Sequence, residues 1–220
     1  MMKLISLNIA QPKTVMINNE PVSTAIYKLP VQRSVWLAKM GLNGDGQADK
    51  AVHGGEHQAI YSYPFEHYAY WQKTLGLTEL PYGTFGENLT ITGLNEDSIQ
   101  IGDILKIGEA IVQVTMPRVP CFKFGHKIGH PEILEDFLNS GRSGFYQRVL
   151  TAGSVKAGDE ITLLDRATDS ISVRTALILQ KLDLALATDE PKQLLNKALQ
   201  IPSLAPLLKT VYLERLADLA

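Results

Sequence analysis

The residues with the most chemistry to offer lie in Met116-Pro117-Arg118-Val119-Pro120-Cys121-Phe122-Lys123, which carries the single cysteine of the 220-residue chain. Pro117 and Pro120 fix their own φ and bias the residue before each away from helix, so the thiol is presented on a stiff, extended or turning backbone. Arg118 and Lys123 flank it, and a nearby cation lowers a thiol's pKa toward the thiolate that attacks electrophiles or binds soft metals. The plainer reading of the same segment is a small buried hydrophobe in a loop.

Other constellations compete with this one. His53-Gly54-Gly55-Glu56-His57 fits the inverted zinc-helix spacing H-x-x-E-H. That chemistry needs both histidines on one face of a helix, and two adjacent glycines inside it cost about 1 kcal/mol each relative to alanine. A cysteine hydrolase would pair Cys121 with His53, His126 or His130 as base, but the segment lacks the glycines of a nucleophile elbow. Gly41-Leu42-Asn43-Gly44-Asp45-Gly46 matches neither the dinucleotide fingerprint nor the phosphate loop that ends in Gly-Lys-Ser/Thr.

Length and composition narrow the classes. A chain of this size buries a large core, as one domain or one domain with a small appendage. Its 45% hydrophobic and 20% charged residues are ordinary for a globular protein. A formal net charge of −2 argues against a nucleic-acid or membrane-surface binder, so an anionic ligand would need a local basic pocket. One cysteine excludes an internal disulfide and suits a reducing compartment. No signal-peptide pattern and no membrane-length apolar run occur, so the expected location is cytoplasmic.

The elements that must position these residues are mostly short strands. Alternation predicts strands over Lys3–Ala10, Ala59–Tyr63, Leu89–Ile91, Ser98–Ile101, Asp103–Ile107, Ala110–Thr115, Phe145–Val149 and Ile161–Leu164, with Ser34–Leu37 as a further short apolar run. Thr14–Ile17 and Glu20–Ala25 read as a hairpin about Asn18-Asn19, a dipeptide that tolerates positive φ. Helices are predicted over Phe65–Leu75 and Pro131–Leu138, and Gly153–Glu160 reads as a turn. This spacing predicts a mainly β fold, a barrel or sandwich, over residues 1–166. From Ser172 onward helical periodicity predicts a three-helix unit within residues 167–220. That tail would dock a partner, pair protomers as a homodimer, or cover the barrel.

A barrel gathers loops at one mouth. The blocks at 41–49, 53–58, 85–89, 117–123 and 141–148 each join or end short strands, and their glycines let backbone N–H groups approach a ligand. Arg118, Lys123, Arg142 and Arg148 supply cations. Together they predict a pocket for a polar, phosphate-bearing anion with one thiolate at its centre.

Taken in order, Gly41-Leu42-Asn43-Gly44-Asp45, Val52-His53-Gly54-Gly55, Phe85-Gly86-Glu87-Asn88-Leu89, Pro117–Lys123 and Gly141-Arg142-Ser143-Gly144-Phe145-Tyr146 resemble the MOSC domain, found at the C-terminus of molybdenum-cofactor sulfurases and in free-standing relatives. The likeness spans about residues 20–165, and the helical tail is similar to the three-helix unit of bacterial members associated with resistance to N-hydroxylated base analogues. The resemblance implies a β-barrel with a few helices and a molybdenum cofactor (molybdenum on molybdopterin) ligated by Cys121. It implies reduction of small N-hydroxylated substrates such as hydroxylaminopurine to amines, with electrons from a separate flavin or iron–sulfur protein. It assigns Arg118, Lys123 and Arg142 to the pterin's phosphate and polar edges. His53, Gly54, Gly55 and Asn88 shape the pocket, and Asp45 or His53 relays protons. Asp45 as a turn residue, Asn88 as a loop cap and Arg142 as a solvated charge are the plainer alternatives. His57 and His67 receive no role, and Glu87 is read as satisfying backbone donors in its own turn. A carrier of the cofactor, or of a persulfide sulfur on Cys121, is the alternative function.

Overall fold

The computed structural model describes residues 1–48, 54–130, 132–181 and 189–219. Thirteen strands and six helices follow one another among them. Strands β1 (Lys3–Ile9), β2 (Lys13–Ile17), β3 (Glu20–Thr24), β4 (Leu29–Pro30), β5 (Val35–Ala38), β6 (Gly41–Leu42) and β7 (Ile60–Pro64) precede helix α1 (Tyr68–Leu75). Then come β8 (Leu89–Thr92), β9 (Ile104–Ile107), β10 (Ala110–Pro117), α2 (Phe122–Ile128), α3 (Ile133–Ser140), β11 (Phe145–Thr151), β12 (Gly153–Val155) and β13 (Ile161–Asp165). Helices α4 (Val173–Lys181), α5 (Asp189–Leu199) and α6 (Pro206–Asp218) close the chain.

Eight strands form one sheet in the order β13-β9-β10-β11-β7-β8-β1-β4. All its pairs are antiparallel except β7–β8, whose parallel run is made possible by the crossover through α1. The structure does not show the closed barrel expected from the sequence: among the described residues no continuous ladder joins the flanks of the sheet. A register shift between Leu4 and Ser6 bends β1, and its two halves then face different neighbours. Asn8 and Ile9 pair with β4, while Lys3 makes a single bridge to Glu160, supported by the backbone bonds Leu4 N–H to Asp159 O and Gly158 N–H to Leu4 O.

The hairpin β2–β3 forms as the dipeptide predicts, with Asn18 and Asn19 at φ 52° and 66°. Two expectations differ. Ser98–Ile101 is a turn with one bridge, Gln100 to Ser172, because the Asp103 carboxylate takes the Gln100 N–H at 2.9 Å in place of a strand partner. Gly153–Val155, expected as a turn, is instead β12, which pairs with β5.

Two apolar clusters hold the molecule. One runs from the sheet interior (Leu105, Val112, Val114) without a break into the C-terminal helices (Ala176, Leu195, Leu208, Tyr212). The change in character near residue 166 is thus a change of secondary structure around a shared core, and Ala205 N–H bonds Thr115 O on β10. The second cluster is aromatic: Tyr61, Tyr63, Tyr68, Trp71, Phe85, Phe124 and Phe137, with Ile133. No described helix is long and apolar enough to cross a membrane.

Candidate functional site

β10 delivers the cysteine segment. The strand ends at Pro117, which has no N–H for a further ladder bond, and the chain turns away. Cys121 has an extended backbone (φ −118°, ψ 170°) and immediately precedes α2, a helix the proline-flanked reading missed. The half-buried thiol opens on a cleft of about 760 Å³ including its mouth. Thr24–Ile26, Lys28, Asp45, Gly54, Gln58, Asn88, Arg118 and Lys123 share the wall with it.

Arg118 is the most informative of these. Only 5% of it is exposed. Its guanidinium carbon lies 5.0 Å from the Tyr61 ring centre, 4.9 Å from Phe124 and 5.4 Å from Phe137, a bed of cation–π contacts. Among the described residues it has no carboxylate within ion-pair distance, and its Nη1 has no hydrogen-bond partner. Burial works against its charge, but Tyr61, Tyr146 and Cys121 more than offset that and hold its pKa above the usual arginine value. A buried cation with an idle donor beside a thiol is a place prepared for an anion.

The Tyr61 hydroxyl donates to Ser143 O at 2.8 Å, and burial raises the pKa of both Tyr61 and Tyr146. Both phenols therefore stay neutral, and both side chains line the cleft.

Asp45 accepts four hydrogen bonds: Ala10 N–H and Lys28 Nζ on Oδ1, Lys28 Nζ and Asn88 Nδ2 on Oδ2, all at 2.7–2.8 Å. The Lys28–Asp45 pair is nearly buried. Burial lowers the Lys28 pKa and Asp45 partly restores it. Asn88 also donates to Asn8 O and accepts from Tyr61 N–H, so it ties three chain segments behind the cleft wall. Lys123 lines the mouth, with its ammonium 5.9 Å from the exposed Phe122 ring.

The glycine block shapes one side. Gly54 has φ 115°, and a Cβ there would overlap the Gln47 carboxamide; its N–H donates to Gln58 Oε1. Gly55, at φ 81°, sends its N–H to Gln47 Oε1 and stands just behind the lining. His53 lies outside the described residues. Glu56–Gln58 is a single 3₁₀ turn, not the helix that the zinc spacing needs, and the described residues hold no group of three or more His, Cys, Asp or Glu side chains placed for a metal.

Arg142 sits elsewhere. Its guanidinium carbon stacks 3.8 Å from the Tyr70 ring centre and its Nη1 reaches Ser140 O, so it does not line the cleft. Lys28, Tyr61 and Tyr146 were not picked out from the sequence. Tyr146 ends one of the motif segments but drew no role there, and Lys28 and Tyr61 stand outside the motifs; burial beside Asp45 and Arg118 marks all three.

Residues 49–162 match the family model of the MOSC domain. The chain is similar to protein YflK of Bacillus subtilis, 41% identical over 79% of this chain and 78% of that one. Its fold is similar to the crystal structure of YiiM from Geobacillus stearothermophilus, with a TM-score of 0.81 and 31% identity over 98% of this chain and 100% of that one. It is also 35% identical, over 66% of its own length, to a protein named reductase from Gibberella moniliformis, of which it spans 26%. The cleft around Cys121 is built from segments on both sides of that domain's starting point, and with these matches the chain belongs to the MOSC domain family.

Proposed function

We propose that the chain binds a molybdenum–pterin cofactor in the Cys121 cleft and reduces small N-hydroxylated compounds to amines: R–NHOH + 2e⁻ + 2H⁺ → R–NH₂ + H₂O. The single observation that carries the reading is Arg118, a buried guanidinium with an idle Nη1 in the same wall as the sole thiol. That donor fits the phosphate of a pterin cofactor, and the thiolate fits a soft metal. The MOSC family and the fungal relative named reductase agree with redox chemistry.

When bound, the cofactor would supply a metal that exchanges two electrons. The chain's own residues do the rest. Cys121 holds the metal through Sγ. Arg118 and Lys123 neutralise the phosphate, with Arg118 held in place by its aromatic bed. Asp45 keeps Lys28 charged at the cleft wall. Of the two proton carriers the resemblance implies, Asp45 has its carboxylate taken by four hydrogen bonds, two of them from Lys28, so His53 is the proposed carrier to the departing water, and Gly54, Gly55 and Asn88 keep the wall close and rigid. Arg142, stacked on Tyr70, serves at most indirectly. Electrons come from a separate flavin or iron–sulfur protein, since one cysteine cannot hold an iron–sulfur cluster by the usual ligation.

The test is metal analysis of protein made in a cofactor-competent host, with hydroxylaminopurine reduction by a supplied reductase. Near-stoichiometric molybdenum, lost in Cys121→Ser together with activity, supports the reading. A persulfide on Cys121 without molybdenum replaces it with sulfur carriage. Full activity in Cys121→Ala overturns both.

A further inference from the structure

Lys127 lies on α2, six residues after the thiol, and is not among the residues lining the cleft. Its ammonium nevertheless ties α2 to two other segments of the cleft, donating to Ile26 O at 2.9 Å and to Gly83 O at 2.5 Å. Ile26 is itself a wall residue, and Gly83 opens the turn that leads to the wall residues Gly86 and Asn88. Those two walls already touch. A Cβ on Gly83 would come within 2.5 Å of Lys28 O, and one on Gly86 within 2.8 Å of Ile26 Cγ1, so both positions are glycine at positive φ.

We propose that Lys127 is a positioning residue of the cleft: by bonding Ile26 O and Gly83 O from the helix that follows Cys121, it sets the gap between the thiol and those two segments, and with it the fit of the anionic ligand.

The arrangement costs stability. Among the described residues no carboxylate lies within ion-pair distance of the Lys127 ammonium, and the nearby Glu87 leaves Oε2 without a hydrogen-bond partner. Burial, reinforced by Arg118, Lys28 and Lys13 and opposed by Glu87, lowers its pKa to about 8. A methionine of similar length would remove the buried charge but also the bonds to Ile26 O and Gly83 O that tie the segments together. A charge kept against that cost, at the meeting point of three walls of one cleft, is the signature of a site in which stability is exchanged for geometry.

The ligand's identity rests on the reading of Cys121 given above; the role of Lys127 in setting the gap does not. The experiment compares wild type with Lys127→Met, Lys127→Gln and Lys127→Arg. It measures molybdenum per chain and the ratio of Cys121 alkylation rates with a bulky maleimide and with iodoacetamide, under conditions where far-ultraviolet circular dichroism shows each chain folded. Lys127→Met is expected to lower molybdenum retention roughly tenfold or more, as loss of an outer-shell support does. It is also expected to raise the bulky-to-small ratio several-fold, and Lys127→Arg to bring both back toward wild type. If Lys127→Met does not fold, Lys127→Gln takes its place. Unchanged ratio and unchanged metal overturn the proposal, as does failure of Lys127→Arg to restore either. If wild type itself holds no molybdenum, the cofactor reading fails while the alkylation ratio still decides the role of Lys127.

Discussion

The guanidinium of Arg174 occupies the space that a side chain on residue 141 would need. From α4 it bonds Ser140 O at 3.1 Å and pairs with Asp97, while Gly141 beneath it ends α3 at φ 67°. Glu96, buried beside Asp97, takes Gly144 N–H at 2.6 Å and His67 Nε2 at 2.7 Å. The loop so pinned offers Ser143 O to the Tyr61 hydroxyl and Gly144 O to Arg118 N–H. A C-terminal helix thereby helps to hold the bed on which Arg118 rests.

Gly141→Ala should lose about 2 kcal/mol of stability, part from the left-handed backbone and part from displacing the flexible Arg174 guanidinium from Ser140 O and Asp97. In an Arg174→Ala background the same change should cost only about 1 kcal/mol, the backbone share alone. Urea midpoints of the four chains in this cycle measure the coupling, and additive losses would contradict the overlap.

Arg118→Met should separate stability from binding. The guanidinium has no carboxylate that its removal would strand, so unfolding of the cofactor-free chain should stay within about 1 kcal/mol of wild type or improve. Affinity for the anionic cofactor should fall by about 2 kcal/mol, roughly thirtyfold, as a charged hydrogen bond is lost. Thermal unfolding and molybdenum retention are the two readouts, and a large stability loss with intact retention would reverse the assignment.

Asp45→Asn should behave in the opposite way. It leaves the Lys28 ammonium nearly buried without its counter-ion, at a cost of about 3 kcal/mol. Adding Lys28→Met should recover most of that loss, because the stranded charge goes with it. Denaturant midpoints of the single and double variants check this.

Stability should also rise with pH on the alkaline side. The folded chain releases the Lys127 proton near pH 8 and the unfolded chain near 10.5, so between these values the unfolded state binds more protons. Deprotonation then favours the folded state, by at most about 3 kcal/mol once pH passes 10.5. Burial shifts Lys28 in the same direction, so the quantity to follow is the difference between wild type and Lys127→Met in urea titrations from pH 7.5 to 10. A difference that is flat with pH would mean that the Lys127 ammonium is not held away from water.

Most strands could be read from the sequence because their alternation reflects a sheet with one face on the core. The hairpin was legible because Asn18-Asn19 accepts the positive φ that a two-residue turn requires at both positions. The cysteine, Arg118, Lys123, Asp45, Asn88 and Gly54 were singled out by motif order, and all line one cleft. What the sequence could not show is which side of a loop a side chain takes. Arg142 carries the same guanidinium as Arg118, yet the exposed Tyr70 holds it outside, while Phe124 and Phe137 draw Arg118 in. Lys28 and Lys127 are lone lysines in unremarkable contexts, and only tertiary burial sets them apart. Strand number is a local property, but closure depends on how distant segments such as β1 and the start of β13 meet, which no local pattern carries.

The bend in β1 ties the start of the chain to its later parts. β1, made first, finds β4 at residues 29–30, β8 at 89–92 and its last contact only at Glu160. During synthesis the Lys3–Leu4 end of β1, on the side facing β4, therefore has no partner until residues 158–160 are made, and its backbone donors and acceptors stay exposed until then. Shortening the chain before residue 158 would leave that end of β1 without these partners, with backbone groups exposed at one flank of the finished sheet.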